Sequence, residues 1–192
     1  MAGLRLITAP PREPLWLDEA KNHLRVDTVE EDSQISRLIT AARQDLDARE
    51  GRLMGVALIT QTWELVLDAF PLSSEIRSPF RPLQSVASIK YDDVNGAEQT
   101  MPSADYIVDI ASYTGRVVLA PDKSWPGTRN VINAVRVRLA VGYGDHPGLI
   151  PETYRQAMLL MVAHLYANRG DGGDAAPPET YFALLGVRGG AA

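Results

Sequence analysis

The chain has 192 residues, a formal net charge of −5 and no cysteine. Without cysteine, disulfides, thiolate metal sites and thiol nucleophiles are excluded. The excess of acids over scattered bases argues against gripping nucleic acid by its phosphates as a main activity. With 45% hydrophobic and 22% charged residues, the composition is that of a globular protein of one ordinary domain or two small modules.

The N-terminal apolar run is too short for a signal peptide, and Pro10, Pro11 and Pro14 follow at once, so residues 1–14 are expected to be extended. No apolar stretch approaches the ~20 residues of a membrane span. The expected setting is the cytoplasm, or a particle assembled there, with no membrane partner. Leu17, Ala20 and Leu24 predict a short helix from Leu17 to Val26, with Asp18 and Glu19 in its first turn, where the helix dipole favours negative charge. A second helix is expected from Asp32 to Glu50. Its stripe of Ile35, Leu38, Ile39, Ala42 and Leu46 recurs at helical spacing.

The period then changes from 3.6 to 2. Ile59, Gln61, Trp63, Leu65 and Leu67 share one face of a strand, and Thr60, Thr62, Glu64, Val66 and Asp68 the other. Prolines at 71, 79 and 82 leave Glu75–Ser78 as a short edge strand. Val86–Tyr91 and Glu98–Met101 flank Asn95-Gly96, which predicts a hairpin with a type I′ turn. Tyr106–Ile110 and Arg116–Leu119 are further short strands. Val135, Val137, Leu139 and Val141 alternate with Arg136, Arg138 and Ala140 in the clearest strand of all. Residues 56–143 thus read as a β module. Gly142, Gly144, Pro147 and Gly148 break the chain, and a third helix is expected from Pro151 to Asn168. Gly170–Pro178 has the composition of a flexible linker. It ends in the apolar tag Tyr181-Phe182-Ala183-Leu184-Leu185-Gly186-Val187-Arg188.

Little in the sequence points to chemistry. His23, His146 and His164 stand far apart, without the spacing of a zinc site. Gly142-Tyr143-Gly144 lacks the Lys-Ser/Thr of a phosphate loop and reads as a turn. Asp92 and Asp93 belong to the hairpin. No catalytic residue, metal ligand or cofactor site is assigned, and the chain is not expected to be an enzyme.

Two features suggest assembly. The third helix is apolar almost all round from Ala157 to Tyr166, so it should be buried all round. Either its own domain covers both sides, or Met158, Met161, Leu165 and Tyr166 meet a neighbouring subunit. The tag gains little by staying in water. It docks either on its own chain or on a partner, where a tether raises its effective concentration.

The order and spacing of several segments complete the reading. They are Leu17-x-Glu19-Ala20-Lys21-x-His23-Leu24-Arg25-Val26, Glu31-Asp32, Gly51-Arg52, Thr60-Gln61-Thr62-Trp63-Glu64-Leu65, Phe70-Pro71 and Tyr91-Asp92-Asp93-x-Asn95-Gly96. Trp125-Pro126, Val135-x-Val137, Gly142-Tyr143-Gly144, Pro151-x-x-x-Arg155-Gln156-Ala157 and Ala163-His164-x-Tyr166-x-Asn168-Arg169 follow. Over residues 14–188 this resembles the phage head–tail connector (head-completion or adaptor) family, in the variant with an inserted β module that gene transfer agents also carry. The resemblance implies an α+β fold, with a helical connector core from residues 1–55 and 144–170. The β module of 56–143 is then inserted between the long helices, and an extended linker and docking tail covers 171–192. It further implies a ring, usually twelve-fold, between a portal protein and stopper or tail-completion proteins in a particle's neck. Double-stranded DNA would then pass through the ring without specific binding. The tail residues Tyr181, Phe182, Leu184, Leu185, Val187 and Arg188 would reach the portal. The rival readings are another non-enzymatic neck or tail-completion protein, a small cytoplasmic hydrolase using His164 or an acidic pair, and a monomeric protein-binding module.

Overall fold

The computed structural model describes residues 2–47, 53, 55–169 and 176–186. These residues form four α-helices and two antiparallel sheets, a mixed α+β chain. It divides into two compact units, each made of two separate stretches. The β unit is Met1–Pro11 with Gly55–Tyr143, and the helical unit is Arg12–Met54 with Gly144–Ala192.

The β unit contains eight strands: β1 (Ala2–Thr8), β2 (Gln61–Leu67), β3 (Glu75–Arg77), β4 (Leu83–Asp92), β5 (Glu98–Thr100), β6 (Tyr106–Asp109), β7 (Arg116–Leu119) and β8 (Val135–Val141). The larger sheet runs β1-β2-β8-β4-β5 and the smaller one β3-β7-β6. β8 lies at the centre of the larger sheet, and its alternation is read out directly. Val135, Val137, Leu139 and Val141 are all buried, while Arg138 between them is exposed. The register aligns Trp63 with Leu139 and Leu139 with Val86, and aligns Leu65 with Val137 and Val137 with Ile89. A single apolar face therefore crosses three strands. The Trp63 ring packs on Phe80 with centroids 4.5 Å apart, and its Nε1 donates to Gln61 Oε1 at 2.9 Å, so the indole is buried with its polar edge satisfied. On the opposite face Glu64 is buried too. It accepts from Arg138 at 3.1 Å and lies 3.6 Å from Arg5.

The structure departs from the sequence reading at two places in this unit. Residues 1–11 lie in the β unit, not in the helical core assigned to 1–55. β1 pairs antiparallel with β2, Leu4 opposite Leu65 and Leu6 opposite Trp63, because its leucines alternate with Gly3 and Arg5 at strand period. The hairpin joining β4 to β5 is present, but its turn is not type I′. Gly96 N–H donates to Asp93 C=O at 2.8 Å, and Gly96 (φ 85°) takes the left-handed conformation without Asn95. The Asp93 carboxylate accepts from the N–H groups of Asn95 and Ala97, which favours this wider turn.

A charge cluster crosses the smaller sheet. Arg116 on β7 bonds Asp109 at the end of β6 and Glu75 on β3, both at 2.9 Å. Hydrogen bonds from Ser112 and then Arg116 hold the Asp109 carboxyl down at about 2. Glu75 is lowered as well, by Arg77 first and Arg116 second. A depressed carboxylate contributes stability that is complete above its unfolded pKa and is lost as pH falls through its folded pKa. The β unit is therefore expected to lose stability between about pH 4 and pH 2. Asp109→Asn is expected to flatten that part of the profile, as thermal midpoints measured across the window will show.

The helical unit contains α1 (Leu17–Leu24), α2 (Asp32–Leu46), α3 (Glu152–Ala167) and α4 (Glu179–Leu185). α2 buries Ile35, Ile39, Ala42 and Leu46, at the helical period of the predicted stripe, and residues 48–50, given to this helix by the sequence, lie outside the described residues. α3 buries Ala157, Met158, Leu159, Met161 and Val162, and packs against α1, α2 and α4. The expected extended tail is corrected here. Residues 179–185 are helical, start after Pro178 and stop at Gly186, whose φ of 66° is left-handed. Tyr181 and Leu185 stand at i and i+4, so helical winding puts both on one face, and both are buried.

Candidate assembly surfaces

The apolar character of α3 has a physical account within the chain. α2 and α1 pack against it, and α4 packs on it as well. Met158 and Met161 are buried, at 0% and 4% exposure, whereas Leu165 and Tyr166 near its C-terminal end are half-buried. Of the predicted tail residues, Tyr181 and Leu185 face inward, Phe182 and Leu184 are half-buried, and Val187 and Arg188 lie outside the described residues. The Tyr181 hydroxyl donates to Asp45 Oδ2 on α2. That bond satisfies the one polar atom of a fully buried side chain and fixes how α4 sits on the helical unit.

Three further polar ties pin the helices. Lys21 on α1 bonds Asp32 on α2 at 2.5 Å. Arg155 on α3 bonds Glu19 on α1 at 2.5 Å, while Glu19 Oε2 and Arg155 Nε are buried without a partner. The third tie joins the start of α2 to the end of α3. Glu31 accepts from the Tyr166 hydroxyl and from Arg169 at 2.9 Å, and the Arg169 guanidinium lies 3.9 Å from the Tyr166 ring centroid. These bonds hold the Glu31 carboxyl below its ordinary range, Tyr166 first and Arg169 second. The sequence reading did not single out these pairs, although Glu19, Lys21, Glu31, Asp32, Arg155, Tyr166 and Arg169 all lie in the segments that carry the family resemblance. These seven residues bond to one another across the helices.

Two of the three histidines, His146 and His164, make local contacts. His146 Nδ1 accepts from Gly148 N–H at 3.0 Å and its ring meets Trp16 edge-on, while His164 lies against Asn168. Among the described residues no group of three or more His, Asp or Glu could hold a metal ion, and no helix is long and apolar enough to cross a membrane.

The polar side chains described above tie the helices of this unit together, and the fold is shared with chains of gene transfer agent particles. Two solved structures are similar at 26% identity. One is the neck of an empty gene transfer agent (GTA) particle computed with C6 symmetry, matched over 96% of this chain and 93% of that one with a TM-score of 0.75. The other is the virion of a native GTA particle, matched over 95% and 93% with a TM-score of 0.77. The neck of a native GTA particle computed with C12 symmetry, at 24% identity and a TM-score of 0.70, has the same fold. A comparison with curated proteins gave no match. The family described as phage gp6-like head-tail connector protein matches residues 15–111, just over half of the sequence. The chain belongs to that head–tail connector family.

Proposed function

We propose that the chain is a structural adaptor that forms a ring in the neck of a phage or phage-like particle, between the portal and the stopper or tail proteins, and extends the channel through which DNA passes. The observation that carries this reading is its likeness, over nearly the whole of both chains, to a protein of the GTA neck. The symmetry of that neck supports a ring, and the family supports a mechanical role at the head–tail junction. DNA is expected to slide past a wall that does not bind it, in keeping with the acidic balance of the sequence. Electron microscopy of the intact particle's neck tests the ring directly. A chain that stays monomeric on its own particle's heads overturns it.

The C-terminal segment is proposed as the portal contact. Tyr181 and Leu185 are committed to the helical unit, which leaves Phe182, Leu184 and residues beyond Gly186 to meet the portal. Phe182→Asp combined with Leu184→Asp is expected to leave the helical content unchanged and to reduce attachment to portal-bearing heads at least tenfold, about 1.4 kcal/mol. Sedimentation of the chain with heads measures this. Undiminished attachment places the portal contact elsewhere.

A further inference from the structure

The two assembly features of the sequence, the apolar α3 and the apolar tag, meet in the contact of α4 on α3, with Tyr181 reaching Asp45 on α2. We infer that in the assembled ring this contact is made in trans: α4 of one copy seats in the α2–α3 groove of the adjacent copy and clasps neighbouring subunits together. This inference rests on the ring reading above.

The physical case has three parts. α4 has seven residues, too few to hold a helix in water alone, so its conformation depends on docking. Its buried anchors are two side chains one helical turn apart, and every copy offers an identical groove. Exchange between copies therefore keeps the same contacts and adds a bond between subunits, the condition under which an element is swapped at little cost. Residues 168–178 join α3 to α4. At about 3.3–3.6 Å per residue these eleven residues can span at most about 36–40 Å, on the order of a small domain's diameter. A groove of an adjacent copy within that distance is presented to the tether at high effective concentration. Multiple adjacent copies are a property of the similar neck, computed with C6 symmetry. An exchanged α4 would keep Phe182 and Leu184 half-buried on the flanks of its docked face, so the clasp rests on Tyr181 and Leu185 and the proposed portal contact on other side chains.

The test uses full-length chain in two isotopic forms, ¹⁴N and ¹⁵N, each with a diazirine analogue of leucine in place of the half-buried Leu184, beside the buried anchor Leu185. The forms are mixed in equal amounts and added to heads from a producer that lacks the chain. After irradiation, crosslinked peptides joining α4 to α2 or α3 are read by mass spectrometry. Trans docking predicts that about half of these pairs carry one light and one heavy peptide, as random mixing around a ring of identical subunits requires. Pairs of a single isotope alone, from heads that carry a ring, overturn the clasp and leave the ring standing. Heads that acquire no ring overturn the ring reading and the clasp with it. As a check that does not depend on the label, Asp45→Arg and Tyr181→Ala chains are added singly and together. Severalfold more assembly from the mixture than from either alone supports trans docking, because the first supplies an intact tail and the second an intact groove. A mixture no better than its parts supports docking within each chain.

Discussion

Met161→Asp is expected to unfold the helical unit. Met161 lies on α3 at 4% exposure, beside buried Ala157, Met158 and Val162. Asp at this position either stays ionised without its water or takes up a proton, and each unit by which burial raises its pKa costs about 1.4 kcal/mol. The lost methionine adds a cavity, which for Met→Ala alone costs about 2–5 kcal/mol. Together these approach the ~5–15 kcal/mol that keeps a domain folded. Met161→Leu conserves volume and is expected to cost less than about 1.5 kcal/mol. Urea denaturation followed by the helical circular dichroism signal separates the variants. A wild-type midpoint for the aspartate variant would show that water reaches this position.

What could be read in advance follows from how far apart the interacting residues lie. α2 and β8 carry long runs with a single clear period, and periodicity needs only neighbours in sequence. Ile35, Ile39, Ala42 and Leu46, and the four buried residues of β8, face inward as their spacing predicts. β1 has the same kind of alternation, but its partner β2 lies some sixty residues away and the run stops before Pro10 and Pro11, so pairing was invisible. The hairpin was legible and its turn type was not, because the Asp93 carboxylate bonds two backbone N–H groups of the loop.

The assembly surfaces show the same limit. That α3 should be buried was legible for Ala157, Met158, Leu159, Met161 and Val162, whereas Leu160, Ala163, Leu165 and Tyr166 are half-buried, and what covers the helix was not legible. Tyr181 and Leu185 are spaced for one helical face, yet seven residues between Pro178 and Gly186 are too few for a period to stand out. Glu31 meets Tyr166, and Glu19 meets Arg155, across more than a hundred residues of chain. No local pattern announces such pairs. The order and spacing of whole segments did carry them, which is why resemblance pointed to the family when the residue types alone pointed only away from an enzyme.

Gly142→Ala is expected to be as damaging in the β unit as Met161→Asp is in the helical one, for a reason that involves no burial of charge. Gly142 follows β8 with φ of 123°, a conformation that costs a residue with a Cβ about 1–3 kcal/mol. A Cβ built there would lie 2.6 Å from both the carbonyl carbon and oxygen of Ile59 and 2.8 Å from Thr60 N. These are backbone atoms, so no rotamer can relieve the overlap. The same residue is tied on both sides. Its N–H donates to Pro82 C=O at 2.9 Å, its C=O accepts from Gln84 Nε2 at 2.7 Å, and the following Tyr143 N–H donates to Leu58 C=O. Moving aside to admit a methyl group breaks bonds that hold the end of β8 to the segments leading into β2 and β4, at about 1 kcal/mol each. Gly3→Ala is the control, because its Cβ would meet Val66 at an ordinary 3.8 Å and should change stability by no more than about 0.5 kcal/mol. Thermal melts of the two alanine variants should therefore separate by well over ten degrees, taking about 4–8 °C per kcal/mol for a domain of this size. If Gly142→Ala melts with Gly3→Ala, the close approach of Ile59 and Thr60 to Gly142 is wrong.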